Sequence, residues 1–407
     1  METTDPQTMG FDPGRLARID RFIAEHYLAP GLLPHAQLLV ARDGVPVHFS
    51  TQGRARAASD APLRSDSIFR IASMTKPVTS VAFMMLVEEG RTALDQPVAD
   101  VIPEFADLAV FAGGGGKTPF RTVPPERQML MLDLLRHSSG LTYDFQNVTP
   151  VDAAYRAQRL GTMRPVMTLD AFAARLGTIP LEFSPGTAWN YSVSTDILGL
   201  VVERVAGERF DHLLKRRIFA PLGMTDSDFD VPPEKIDRLT DAWAIDPKRG
   251  RIVYDTAQGG SWWKPPLLAG GGGGLVSTTA DYHRFCRMLL GGGTLDGVRI
   301  LGRKTIALMT ANHLPGGADL QSLSRSMFSE AIYAGQGFGL GFAVNLDPVK
   351  AMVPGSAGEY YWGGIFSTYF FIDPVERLSM IFMTQLMPST STAIRRQLKT
   401  MVYSALT

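Results

Sequence analysis

A chain of 407 residues is long enough to bury a large core, as one domain with an insertion or as two domains. Lysine plus arginine (40) balances aspartate plus glutamate (40), and 45% hydrophobic with 20% charged residues is ordinary globular composition, so neither nucleic acid nor an anionic membrane surface is an indicated partner. The single cysteine, Cys286, excludes an internal disulfide.

The first thirty residues carry Glu2, Asp5, Asp12, Arg15, Arg18 and Asp20 without an apolar signal core, and no apolar run is long enough to span a bilayer. A soluble cytoplasmic protein is the expectation. Asp12-Pro13 followed by Leu16, Ile19, Phe22 and Ile23 predicts a capped helix with a 3.6-residue period. Residues 36–41 read as a strand, Asp43-Gly44 as a tight turn, and residues 45–49 as the returning antiparallel strand.

Next comes Phe69-Arg70-Ile71-Ala72-Ser73-Met74-Thr75-Lys76-Pro77, followed by an apolar run from Val78 to Val87. A helix that is apolar nearly all round is buried. Pro77 is tolerated only in the first turn, so Ser73 sits at or next to the helix start, and Gly90 suits a left-handed cap at its end. Ser73 and Lys76 are three apart and share a face. At the positive end of a helix, with a desolvated lysine one turn away, a serine has what a nucleophile needs. Serine is also a favoured N-cap, and on the tetrapeptide alone that is the better reading.

Beyond Gly90, residues 94–98 and 102–105 read as loops and turns, and residues 112–119 as a flexible surface loop. A phosphate-binding loop is rejected there, because Phe111 stands where that motif needs glycine and Pro119 spoils the following helix. From Met129 to Leu222 the signals are mostly helical, with helices over 170–176, 194–205 and 211–219. Residues 275–278 lead into an amphipathic helix holding Cys286, which reads as a buried structural thiol. Residues 337–344 alternate as a half-buried strand, residues 367–372 and 378–384 form a hairpin about Asp373-Pro374, and a last helix spans 391–406.

A serine nucleophile needs a base, a proton relay and oxyanion donors. No Gly-x-Ser-x-Gly elbow occurs, and none of the seven histidines stands in a triad setting; His137 reads as a helix-end residue in a turn with Gly140. With no His-Glu-x-x-His and no cysteine pair, neither a metal nor any other cofactor is expected. Tyr191 remains, on the turn-rich loop 183–194, where a tyrosine can be held beside a lysine whose charge favours the phenolate. An isolated tyrosine more often packs under a loop with its hydroxyl satisfied.

Taken together, the Ser73 stretch, the turn His137-Ser138-Ser139-Gly140-Leu141, Ser184-Pro185-Gly186 with Asn190-Tyr191-Ser192, and Trp362-Gly363-Gly364 occur in an order that resembles serine hydrolases of the class C β-lactamase and penicillin-binding-protein type, and within them the family VIII carboxylesterases. The resemblance, from about Asp12 to the C-terminus, implies an α+β fold. An antiparallel sheet flanked by helices (residues 1–90 and 231–407) would join a mainly helical domain (91–230), with the site in the cleft between them. It implies that Ser73 is acylated, that Lys76 activates it, and that Tyr191 shuttles protons with Lys76. It further implies that the N–H groups of Ser73 and Ile365 form the oxyanion hole, and that Trp362, Gly363 and Gly364 contact substrate. Val193 and Trp362 replace an asparagine and a lysine that serve β-lactam substrates, which disfavours anionic lactams and favours neutral short-chain esters. The partner expected is therefore a small-molecule ester, with self-association of identical chains left open. The alternatives are a β-lactamase, D-amino-acid peptidase, amidase or acyltransferase on the same residues, and, from another class, a non-catalytic penicillin-binding-like module.

Overall fold

The structure is a computed structural model that describes residues 1–407 apart from 60, 162, 163, 165 and 327. Its centre is a seven-stranded antiparallel sheet in the order Gln336–Phe338, Ala343–Asn345, Tyr360–Gly363, Tyr369–Asp373, Leu378–Met383, His35–Arg42, Val45–Gly53. The first two strands of the chain thus complete a sheet whose other five come from residues 336–383. Asp43 and Gly44 turn between them with φ of 53° and 75°, the left-handed pair that a tight hairpin needs.

The strands Tyr369–Asp373 and Leu378–Met383 are buried at every residue because helices cover both faces. Neighbouring side chains on a strand point to opposite faces. Phe370 meets Tyr282 of the helix Thr279–Leu290, whereas Phe371 stacks on Tyr403 of the C-terminal helix Ile394–Tyr403. Cys286 is buried in the former helix, and burial pushes its thiol pKa up.

The Ser73 helix spans Thr75–Glu88, with every residue from Thr75 to Leu86 buried, and Gly90 follows with φ 68°. It packs against the helix Ser194–Ala206. Residues 91–230 otherwise supply short helices, among them Met131–Leu135, Pro150–Ala157, Leu169–Leu176 and Phe210–Leu214.

Two expectations are corrected. Residues 112–119 are not a loop: Val110–Gly115 pairs with Thr118–Val123 as a hairpin, whose irregular register left the period-2 signal too weak to read. The single strand expected over 337–344 is two antiparallel strands, Gln336–Phe338 and Ala343–Asn345, all buried. The chain reverses through Gly341 (φ 95°), where a Cβ would lie 2.3 Å from Ser80 Oγ, so glycine is needed for the reversal to press against the Ser73 helix. Among the described residues no helix is long and apolar enough to cross a membrane.

Candidate functional site

Two residues of antiparallel pairing, Phe69–Arg70 with Val276 and Ser277, deliver the chain to the head of the buried helix. Ile71 N–H donates to Leu275 O, and Ala72 turns with φ 44°, a left-handed conformation that costs a non-glycine residue roughly 1 kcal/mol. One 3-10 turn, Ala72–Met74, then runs directly into the α-helix. Ser73 is therefore not an N-cap: Met74 holds that position with helical angles and no side-chain cap. Tyr282 OH donates to Met74 O (2.9 Å) and Thr368 Oγ1 to Ile71 O (3.2 Å), tying the turn to the helix Thr279–Leu290 and to the start of the strand Tyr369–Asp373.

Freed from capping, Ser73 Oγ accepts hydrogen bonds from Tyr191 OH at 2.6 Å and from Lys76 Nζ at 3.3 Å. Lys76, 1% exposed, also donates to Tyr143 OH (2.9 Å) and Gly272 O (2.6 Å). Burial pulls its pKa down from 10.5 to about 8, with the charges of Asp196 and Glu330 opposing the fall. A fraction of the amine is then neutral near pH 7 and can accept the proton of a hydroxyl at this distance. Burial pushes Tyr191 and Tyr143 well above 10, so both are neutral phenols, and the phenolate expected beside the lysine is not the resting form. Tyr191 points at Ser73, while the hydroxyl at the lysine belongs to Tyr143.

Tyr191 is held from all sides. Its N–H donates to Ser326 Oγ (2.6 Å), and its carbonyl accepts from Gln146 Nε2 (3.2 Å). His137, Tyr143 and Trp362 present their rings edge-on at 5.1, 5.2 and 5.4 Å. The turn 137–141 brackets the loop: Asn190 N–H donates to His137 O and Asn190 Nδ2 to Leu141 O. His137, buried with φ 58°, is kept neutral by burial and contacts Ser192 Oγ, so it stands in the bracket rather than at Ser73.

A cavity of about 260 Å³ opens over Ser73, walled by Phe145, Phe172, Val193, Leu268, Phe328, Ile365 and Met387. Ser73, Tyr143 and Tyr191 line it, as do Asp196 and Glu330, and among the described residues no lysine or arginine does. Among the described residues, the N–H groups of Ser73 and Ile365 form no hydrogen bond. Trp362, Gly363 and Gly364 are not among the lining residues. Trp362 is fully buried beneath Tyr191, so the structure gives it a supporting position rather than the expected substrate contact. Gly364 permits a close approach, since a Cβ there would lie 2.4 Å from Ile71 O. Among the described residues no group of three or more His, Cys, Asp or Glu is placed to hold a metal.

Tyr143, Gly272, Asp196 and Glu330 escaped the sequence reading. Tyr143 lies two residues past the His137-Ser138-Ser139-Gly140-Leu141 turn and was within reach of it. Gly272 sits in a run of five glycines, where a Cβ would strike Asp196 Oδ2 at 2.3 Å, and its N–H donates to Asp196 Oδ1 (2.9 Å). Asp196 and Glu330 carry no local signal.

A mixed sheet-and-helix body with a Ser-x-x-Lys turn at the head of a buried helix defines a β-lactamase-like protein. Residues 21–401 match the beta-lactamase family model, and the chain belongs to that family. It is 35% identical over 333 residues to protein Rv1367c of Mycobacterium tuberculosis, covering 81% of this chain and 80% of that one. To the esterase EstB of Burkholderia gladioli it is 30% identical over 394 residues, 93% of each chain. Among solved structures, EstCE1, a hydrolase with promiscuous acyltransferase activity, superposes with a TM-score of 0.79 at 24% identity, over 96% of this chain and 98% of the other.

Proposed function

We propose that the protein is a cytoplasmic carboxylic ester hydrolase that works through an acyl-enzyme on Ser73. The observation that carries this reading is Ser73 Oγ held between Tyr191 OH (2.6 Å) and Lys76 Nζ (3.3 Å) at the floor of an apolar cavity. Neutral Lys76 takes the proton of Ser73 as Oγ bonds to the ester carbonyl carbon and the carbonyl π pair moves onto oxygen. The N–H groups of Ser73 and Ile365 receive that oxyanion. When it collapses, the C–O bond to the alcohol breaks and the alkoxide leaves with the proton of Tyr191, which Lys76 restores. Water then adds to the acyl carbon, giving up its proton to the same pair; when the second oxyanion collapses, the C–O bond to Ser73 breaks, Oγ takes that proton back and the acid is released.

Neutral esters suit the cavity better than β-lactams do. A lactam carboxylate would meet Asp196 and, among the described residues that line the cavity, no lysine or arginine. The similarity to esterase EstB supports the same substrate class.

The test is intact mass and peptide mapping after incubation with a p-nitrophenyl alkylphosphonate, alongside rates on p-nitrophenyl butyrate and a cephalosporin. A single adduct on Ser73, absent from Ser73→Ala, and kcat/KM at least about tenfold higher on the ester are expected. A stable adduct elsewhere would sink the assignment, and preference for the cephalosporin would move it to lactam hydrolysis.

A further inference from the structure

The turn 364–368 carries Ile365 to the cavity wall, and its neck is closed by a side chain from the far end of the chain. Arg395, in the first turn of the C-terminal helix Ile394–Tyr403, donates through Nη2 to Gly364 O (2.5 Å) and Thr368 O (2.7 Å). Those two carbonyls flank the turn, which is also held by Gly364 N–H on Thr368 O and Ser367 N–H on Gly364 O, both 2.9 Å, by Ser367 Oγ on Leu386 O (2.7 Å), by Leu386 N–H on Phe366 O (3.0 Å) and by Thr368 Oγ1 on Ile71 O. The guanidinium lies flat on the strand end because residue 363 is glycine; a Cβ there would sit 2.7 Å from Arg395 Cζ.

The other edge of the guanidinium is engaged as well. Arg395 Nη1 meets Glu330 Oε2 at 2.5 Å, with the Glu330 side chain fully buried and Arg395 15% exposed. Glu330 Oε1 has no hydrogen-bond partner among the described residues, so Arg395 is the cation that the carboxylate contacts directly, while its charge also acts at longer range on Lys76. Removing either charge would strand the other in a dry site, which makes the pair mutually dependent. Glu330 also shares its segment with Phe328, a wall of the cavity, and Ser326, which fixes the Tyr191 N–H.

We propose that Arg395 is a positioning residue for the oxyanion turn, aimed by Glu330 so that the Ile365 N–H is held where the carbonyl oxygen of the substrate becomes charged. The inference rests on the hydrolase reading. It assigns Arg395 no substrate contact: Nη2 binds both carbonyls while Nη1 of the same rigid plane is held by Glu330, and a lysine's single ammonium cannot engage the carbonyls and the carboxylate from two fixed positions.

The test compares Arg395→Lys, Arg395→Met and Glu330→Gln with wild type on p-nitrophenyl benzoate and its thiono analogue, in which sulfur replaces the carbonyl oxygen. Sulfur is a weak hydrogen-bond acceptor, so donors placed for oxygen favour the oxygen ester. Arg395→Met should lower kcat on the oxygen ester about 10- to 100-fold with KM within about twofold, and lower the thionoester rate far less. The rate ratio then collapses toward unity, with Arg395→Lys and Glu330→Gln in between. Should Arg395→Met not fold, the two milder variants carry the same ratio. Equal losses on both esters, or no loss, would overturn the proposal while leaving the hydrolase reading intact. A wild type inert toward both would overturn the hydrolase reading and this inference with it.

Discussion

Tyr191 and Tyr143 are the same residue type, both buried, with rings 5.2 Å apart, yet their hydroxyls go to different partners. Tyr191 donates to Ser73 Oγ, and its backbone is pinned by Ser326 and Gln146. Tyr143 accepts from Lys76 Nζ, and its ring stacks on Phe145 at 4.6 Å. The difference teaches that work in this site is divided by where a hydroxyl points. In the proposed reaction, one phenol stands at the oxygen that gains and loses a proton. The other, with Gly272 O, holds the ammonium so that its remaining contact falls on Ser73.

Three measurements break or sharpen that contrast. The largest effect is expected from Tyr191→Phe, which should lower kcat by about 10²- to 10⁴-fold while the rising limb of the pH–rate profile stays near pH 8, where Lys76 titrates. A loss below about tenfold would place Tyr191 among structural residues. Tyr143→Phe should lower the plateau by about tenfold or less and move the limb to lower pH. The sign follows from the bond removed: Tyr143 OH accepts from the charged lysine, so its loss disfavours the ammonium. A limb that stays put, or moves up, would erase the distinction between the two tyrosines.

The smallest effect is on stability. The folded pKa of Lys76, about 8, lies below its ordinary 10.5. At pH below 8 both folded and unfolded chains carry the proton, and the folded state bears the full cost of a buried ammonium. Between 8 and 10.5 the folded chain releases that proton first, so wild-type stability rises across this window relative to a chain lacking the group. Lys76→Met should therefore be more stable than wild type at pH 7 by on the order of 1–3 kcal/mol, with the advantage fading toward pH 10.5. Thermal melting at pH 7 and 10 reads this directly. A variant less stable at pH 7 would mean that Tyr143 and Gly272 more than offset the burial.

Much of the frame was legible because it is local. The helix after Asp12-Pro13, the Asp43-Gly44 hairpin and the Cys286 helix follow from caps, turn residues and apolar periodicity within a dozen residues, and all three form. Local rules also misled. Serine before an apolar run reads as an N-cap, but the 3-10 turn over Ala72–Met74 moves the cap position to Met74. The substrate contact for Trp362 is implied by the family resemblance and not by a local rule; every residue of Tyr360–Gly363 is buried, so no alternation along that strand could reveal which way its ring faces.

The amino-acid sequence by itself determined that Ser73 and Lys76 share a helix face at the end of a buried helix, because a spacing of three and a proline in the first turn leave the backbone little choice. It likewise put Tyr191 on a loop rich in turn residues. Only the tertiary structure decided what surrounds them. The acceptors of Lys76 other than Ser73 lie 67 and 196 residues away, and the Arg395–Glu330 pair is separated by 65. Hydrogen bonds of that kind depend on how the sheet, the helices and the glycine-rich run 270–274 pack, and packing is a property of the whole chain rather than of any window along it.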